Sequence, residues 1–570
     1  MDINNEYLRW CENVSGDDEL IAELASIKGD ADAISDRFYT DLEFGTAGLR
    51  GVIGAGTNRM NIYTVGRATE GLAGYIRSVT ANGSAAIGYD SRKNSRLFAK
   101  TAATVLAANG IHVYIYDELC PVPMVSFATR YYGCNAGIMI TASHNPAKYN
   151  GYKVYGADGC QLGVEESDKV LSIMNGIDIF RDIKQADFDA CLANGMIEYV
   201  SDEAKNAYLD AVEEQAVCPG IGEGTDFNVI YSPLHGAGNK PVRAILARLG
   251  LGVTVVPEQE LPDGAFPTLP FPNPEFKEAF DLAIKLAESK PADLLLATDP
   301  DCDRVGIAVR QGDGYRLFSG NEVGVMLLNY ILSVKSANGT LPKDPVAVKT
   351  IVTTDMCIPV AKKYGCRLVN VLTGFKYIGE QIALLEEKGE EARFQLGYEE
   401  SYGYLKGSYV RDKDGVVASM LICEMACCYK KQGKNLIDVW QELEAEFGVF
   451  HNSQSSFYFE GQDGMEKMSG MMDALANDPP KSIAGLTVTE LGDYRTSTLT
   501  DCATGKKTPI TLPKSNVLYF GLGGGNSLIV RPSGTEPKIK IYVTSVSDTR
   551  EKADALAARM NADLKKTMGI

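Results

Sequence analysis

The strongest constraint on this chain's fold is a repeated grammar. A short apolar run ends in a polar loop, and residues at helical spacing follow. Ala136 to Ile140 runs into Thr141-Ala142-Ser143-His144-Asn145-Pro146. Asp293 to Ala297 runs into Asp299-Pro300-Asp301-Cys302-Asp303-Arg304, and Arg393 to Leu396 runs into Gly397-Tyr398-Glu399-Glu400-Ser401-Tyr402-Gly403. Helical spacings lie between such runs, at Leu97 to Ala108, Pro241 to Leu249, Glu275 to Glu288 and Ile378 to Glu387. Ser95 is placed to cap the first of these. Apolar runs alternating with helices read as buried strands of a parallel sheet. In such sheets ligands sit beyond the carboxyl ends of the strands, where these three loops fall.

The pattern changes near residue 447. Phe450 to Phe459, Leu486 to Leu491, Val517 to Phe520, Leu528 to Val530 and Lys538 to Val543 read as strands. Met465 to Ala476 and Arg550 to Lys565 read as helices. This part is α+β. The expected class is therefore α/β, with three similar α/β domains on mixed or parallel sheets and a C-terminal α+β domain. The expected divisions are 1–208, 209–318, 319–446 and 447–570.

Composition narrows the partners. Seventy-four acidic against 56 basic residues leave a net charge of −18, which argues against nucleic acid or an anionic membrane. No run approaches the ~18 apolar residues needed to span a bilayer. Met1 to Leu20 lacks a basic segment leading into an apolar run, so no secretory signal is expected. The 13 cysteines include no Cys-x-x-Cys pair, and Cys423, Cys427 and Cys428 read as core thiols. A reduced, cytoplasmic setting is expected.

The loops carry the chemistry. Ser143 becomes a nucleophile only if a partner accepts its proton and others offset the charge it receives. His144 adjoins it, and Lys153 follows closely. Asp299, Asp301 and Asp303 alternate, and an extended backbone would put all three carboxylates on one side. Pro300 favours that extension at Asp299. Crowded carboxylates repel unless a hard cation lies between them, and Mg²⁺ suits oxygen ligands with room for a phosphate oxygen. An EF-hand fails, because Arg304 and Arg310 stand where Gly and Glu are needed. A solvated acidic turn is the bland alternative. Arg304 either neutralises the acids or reaches a phosphate. Phe44 to Gly51 reads as a glycine-dense loop bringing Arg50 and backbone near an anion. Glu399 and Ser401 suit sugar hydroxyls, and Thr373 and Gly374 stand at a helix start. Arg531, Ser533, Gly534 and Thr535 read as a phosphate cradle or as a tight hairpin. Gly521 to Gly525 precedes a strand, not a helix, so a dinucleotide loop is disfavoured. His112 and His451 read as structural.

Taken together, the chain resembles the α-D-phosphohexomutase family from about Phe44 to Tyr542. Four motifs match in order: Thr-Ala-Ser-His-Asn-Pro, Asp-Pro-Asp-x-Asp-Arg, Gly-x-Glu-Glu-Ser-x-Gly and Arg-Pro-Ser-Gly-Thr-Glu-Pro. The resemblance implies four domains around one central cleft. It implies that Ser143 carries a transferable phosphate, and that Asp299, Asp301 and Asp303 hold Mg²⁺ with an oxygen on Ser143. Arg50 and Arg304 would contact the moving phosphoryl group, and His144 and Lys153 would position it or carry protons. Thr373, Gly374, Glu399 and Ser401 would bind the sugar. Arg531, Ser533, Gly534 and Thr535 would grip the idle phosphate. Gly403 departs from the histidine of mannose-using members, and Lys413 in Arg411 to Gly415 resembles glucose-preferring ones. The implied reaction is the interconversion of glucose 1- and 6-phosphates, with glucose 1,6-bisphosphate as activator. Pentose or mannose phosphates are the alternative substrates. A phosphoserine-dependent phosphatase and a non-catalytic sugar-phosphate sensor are the alternative classes. The implied partner is a small sugar phosphate, bound by a monomer or weak homodimer.

Overall fold

The computed structural model describes residues 2–45, 48–459, 464–532 and 538–569. The chain gathers into two compact units. The first comprises Met1–Ser319, Ile378–Leu396 and Ser401–Gly433; the second comprises Gly320–Tyr377, Gly397–Glu400 and Lys434–Ile570.

The first unit holds two mixed sheets. The larger runs in the order Gly48–Val52, Tyr149–Gly156, Ala136–Ile140, Ser84–Tyr89, His112–Ile115, Ile197–Tyr199. The last four strands are mutually parallel, and the first two pair antiparallel. Every residue of Ala136–Ile140 is buried, as expected of a strand covered on both faces. The helices Ile62–Val79 and Ser95–Ala108 supply part of the cover, with Val65, Leu72, Phe98, Ala102 and Leu106 in the core. The second sheet runs Gly314–Phe318, Val305–Gln311, Leu294–Thr298, Val229–Ser232, Val253–Val255. Its last three strands are parallel, and the first two form an antiparallel hairpin.

The N-terminal segment forms three short helices, Ile3–Asn13, Asp18–Ser26 and Ala31–Phe38, each capped by an aspartate. Trp10 packs edge-to-face on Phe38, Tyr63 and Phe180, which fastens these helices to the first sheet's cover.

The second unit pairs Val346–Thr350 with Arg367–Val371 in parallel, beside the helix Gly320–Ala337. It also carries a seven-stranded antiparallel sheet containing Val449–Tyr458, Lys538–Ser547, Ser527–Pro532 and Leu518–Gly521. The helices Gly464–Asn477 and Arg550–Met568 contribute Met472, Met560 and Leu564 to its core. Among the described residues no helix is long and apolar enough to cross a membrane.

Several local expectations need correction. Phe44 to Gly51 is not all loop: Gly48–Val52 is a strand, with Arg50 opposite Gly151. Glycine density hid a strand whose backbone closely approaches its neighbour; a Cβ on Gly48 would meet the Tyr152 carbonyl oxygen at 1.8 Å. Ser95 is not the cap. Asn94 is, at φ +65°, and the Ser95 hydroxyl donates to Asp90 instead. The helix expected from Glu275 starts as a 3₁₀ turn, Lys277–Phe280, and becomes α-helical only at Asp281. Leu486 to Leu491 is two short strands, Leu486–Thr487 and Glu490–Asp493, in separate sheets.

Candidate active site

The serine loop begins where the buried strand Ala136–Ile140 ends. Ser143 adopts φ +51°, a left-handed conformation costly for a residue with a Cβ. Its N–H donates to Thr141 Oγ1 at 2.9 Å. Its hydroxyl donates to Asp299 Oδ2 at 2.8 Å and lies 3.1 Å from His144 Nδ1. The serine and the first aspartate, 156 positions apart, are thus in direct contact.

The aspartate loop follows the equally buried strand Leu294–Thr298. The three carboxylates do converge, but not by extension. Cys302 sits at φ +52° and its N–H donates back to the Asp299 carbonyl, so a tight turn gathers them. Asp299 Oδ1 accepts from the backbone N–H groups of Asp303 and Arg304. One ligand atom from each aspartate lies within 4.8 Å of the others, and all three residues are buried. Asp301 Oδ1 and Asp303 Oδ1 are buried without a hydrogen bond among the described residues. Buried acceptors left open beside a third carboxylate fit a hard divalent cation.

Cations ring this acidic centre. Lys153 Nζ lies 2.9 Å from Asp301 Oδ2 and 3.4 Å from Asp303 Oδ2. Lys413 Nζ lies 3.2 Å from Asp303 Oδ2 and 3.1 Å from Asp412 Oδ1. Arg304 pairs with Glu275 and approaches Asp303. Burial, then Asp301 and Asp303, push Asp299 well above the usual carboxylate range. Asp303 goes the other way, because Lys413, Lys153 and Arg304 outweigh its burial. Burial, then Arg304 and Arg50, hold His144 well below its ordinary value, so its imidazole is neutral. Burial lowers Lys153, but Asp301 and Asp303 more than reverse this and keep it an ammonium. Arg50, on its strand, is exposed.

The sugar-loop residues are placed as follows. Val305 N–H donates to the Tyr402 carbonyl, so the turn after Ser401 lies at the end of the aspartate loop. In the second unit Gly374, at φ +123°, donates its N–H to Glu399 Oε1 at 3.0 Å. Thr373 Oγ1 there is buried with no hydrogen bond among the described residues. Arg531 lies near the end of Ser527–Pro532. Ser533, Gly534 and Thr535 lie outside the described residues.

Sequence reasoning missed Asp90, Arg92 and Asp412. Asp412 Oδ2 accepts from Tyr155 and Gln161, while its other oxygen holds Lys413. Arg92 donates to four carbonyls of the serine segment. The signal existed: Asp90-Ser91-Arg92 follows the strand Ser84–Tyr89 by the same strand-then-polar-loop grammar.

Comparisons with known proteins extend this geometry. Family models described as phosphoglucomutase/phosphomannomutase α/β/α domains I, II and III match residues 41–179, 206–312 and 319–447, and the C-terminal domain model matches 506–562. A phosphoglucomutase of Staphylococcus saprophyticus is 36% identical over 94% of this chain and 95% of its own. One from Staphylococcus haemolyticus is 37% identical over 90% and 92%. The solved structure of Paramecium pp63/parafusin, a phosphoglucomutase, shares the fold at TM-score 0.68 and 18% identity, covering 93% of this chain and 95% of that one. With all four domain models matched in order and relatives above a third identical along nearly the whole length, the chain belongs to the phosphoglucomutase/phosphomannomutase family, the α-D-phosphohexomutases.

Proposed function

We propose that this enzyme interconverts glucose 1-phosphate and glucose 6-phosphate through a phosphoserine at Ser143 and a glucose 1,6-bisphosphate intermediate. The observation that carries it is the Ser143 hydroxyl, 2.8 Å from Asp299 and 3.1 Å from a neutral His144. Asp299, Asp301 and Asp303, with an oxygen on Ser143, would hold Mg²⁺, which when bound offsets the charge of the group in transfer.

The phosphoserine O–P bond breaks as a bond forms to the free sugar hydroxyl. That hydroxyl's proton passes to a neutral base, the role we give His144, which delivers it to the departing Ser143 oxygen 3.1 Å away. Lys153, Arg50 and Arg304 hold the phosphoryl oxygens, since positioning and electrostatics do most of the work in such transfers. The bisphosphate turns end for end, and Ser143 takes the phosphate the substrate first carried. Thr373, Gly374, Glu399 and Ser401 bind sugar hydroxyls; Arg531, Ser533, Gly534 and Thr535 hold the idle phosphate. We divide the chain into four domains at 208, 318 and 446.

The glucose choice has local support. A Cβ on Gly403 would meet Lys413 Cδ at 2.1 Å, so a side chain there and Lys413 as placed exclude each other.

The test is conversion of glucose 1-phosphate with catalytic glucose 1,6-bisphosphate, compared with mannose and ribose 1-phosphates. Ser143→Ala is expected to remove turnover by about 10⁴-fold or more. Full turnover by that variant defeats the reading. Release of free phosphate at the conversion rate favours a phosphatase. A wild-type mass that never gains a serine phosphate favours a sensor.

A further inference from the structure

We infer that Arg92 is the positioning residue of the serine loop: its buried guanidinium fixes the left-handed backbone at Ser143 that aims the nucleophile at Asp299. The inference rests on Ser143 being the phosphate carrier.

A non-glycine residue in the left-handed region is disfavoured by about 1–2 kcal/mol, and persists only where its surroundings over-determine it. At Ser143 two arms do so, and both start at Asp90, one through a hydrogen bond and the other through an ion pair. In one arm Asp90 Oδ2 accepts from Thr141 Oγ1 at 2.7 Å, and Thr141 Oγ1 in turn accepts the Ser143 N–H. In the other, Asp90 Oδ2 lies 3.3 Å from Arg92 Nε, and Arg92 Nη2 donates to the carbonyls of Ser143 and Asn145. Arg92 Nη1 reaches the carbonyls of Pro146 and Tyr149 at 3.0 and 3.1 Å. The peptide on each side of Ser143 Cα is therefore held from one carboxylate.

Only arginine has the donors for this. A planar guanidinium presents five N–H groups in a fixed fork, whereas lysine offers three from one point. The charge is buried, and it is balanced by Asp90, which also accepts from Ser95 Oγ and Arg92 N. The Phe266 ring lies 5.0 Å from the guanidinium carbon and closes one face. Arg92 touches none of the reacting atoms. Its hydrogen-bond partners in the serine segment are all backbone carbonyls, so its hydrogen bonds act through the loop. Its charge adds, after burial, Arg304 and Arg50, to what lowers His144, an effect Arg92→Lys retains.

The test compares wild type with Arg92→Lys and Arg92→Ala in the full-length protein. It measures kcat, KM for glucose 1-phosphate, thermal unfolding, and the single-turnover rate of phosphate transfer from glucose 1,6-bisphosphate to Ser143. Misplacement of a reacting atom by about 1 Å costs about 10²-fold. Arg92→Ala is expected to lose about that much in kcat and in the single-turnover rate, with KM within about threefold, because positioning acts on the transfer and not on substrate binding. Arg92→Lys is expected to recover only part of the loss. A folded Arg92→Ala protein with kcat within about twofold of wild type overturns the inference, as does a KM rise that accounts for the whole defect. If Arg92→Ala does not fold, Arg92→Lys decides: wild-type single-turnover transfer overturns the inference, and slowed transfer at unchanged KM supports it. Failure of wild type itself to phosphorylate Ser143 would defeat the functional reading and is separately visible.

Discussion

Ser143 and Cys302 occupy the same left-handed region, at φ +51° and +52°, and each sits in a loop that follows a fully buried strand. What holds the two loops differs. The serine loop hangs on side chains: Arg92 holds its carbonyls and Thr141 its amide. The aspartate loop is pinned largely by backbone. Ala237 N–H reaches the Pro300 carbonyl, Val122 N–H the Asp301 carbonyl and Gly415 N–H the Cys302 carbonyl. Three distant segments thus hold three consecutive peptides of the aspartate loop. A loop whose carbonyls are gathered by one guanidinium loosens when that guanidinium goes. A loop held by backbone amides survives most side-chain truncations and fails only if a segment is pushed away or a carboxylate itself is changed.

The largest expected effect changes a carboxylate. Asp301→Asn leaves the backbone pins intact but removes one charge from the proposed cation site and from Lys153. Activity is expected to fall about 10²–10³-fold, with a higher Mg²⁺ requirement and a melting temperature close to wild type. Titrating activity against Mg²⁺ in both proteins checks this. Unchanged activity would mean that the cluster's charge is structural.

The next effect attacks a pin. A Cβ on Gly415 would meet the Cys302 carbonyl oxygen at 2.5 Å and its sulfur at 3.0 Å. Alanine at a helix start would otherwise be benign. Here it must push the aspartate loop, so Gly415→Ala is expected to cost about 1–3 kcal/mol of stability. Activity should fall about tenfold, because the carboxylates move with the pushed loop and misplacement of reacting groups slows transfer. Thermal unfolding and kcat measured together decide it. A loss of stability with full activity would show that the loop tolerates displacement, and would erase the contrast with the serine loop.

Much of this was legible in the sequence, and the reason is local. The strand Ala136–Ile140 is apolar at every position and its loop carries reactive side chains, so both its burial and its role show in the chain itself. The aspartates were legible as a cluster but not as a turn, because the left-handed Cys302 has no sequence signature; such positions favour Gly or Asn. Arg92 stood in a strand-then-polar-loop segment, but its partners were illegible for another reason. A buried arginine whose partners are carbonyls 51 to 57 positions away leaves no pattern at short range. Lys413 shows the intermediate case: it was picked out by resemblance, but its contacts to Asp303 and Asp412 needed the fold. Gly48–Val52 was hidden because glycine reads as loop, although here glycine permits close strand approach.

The smallest expected effect separates the guanidinium's hydrogen bonds from its cover. Phe266 is buried and lies over Arg92, and it is itself left-handed at φ +48°. Phe266→Leu keeps an apolar group and the same backbone demand but removes the ring's electron-rich face. Cation–π contacts contribute about 0.5–2 kcal/mol depending on desolvation. If that contribution steadies Arg92, kcat should fall about two- to fivefold, since 0.4–1 kcal/mol corresponds to roughly that range. The informative measurement is the double-mutant cycle with Arg92→Lys. Coupling between neighbours appears as non-additivity of about 0.5 kcal/mol or more. A Phe266→Leu effect that shrinks in the Arg92→Lys background places the ring in the side-chain circuit that holds the serine loop. An equal effect in both backgrounds makes Phe266 packing alone, and leaves the circuit to Asp90, Arg92 and Thr141 with the groups they bond.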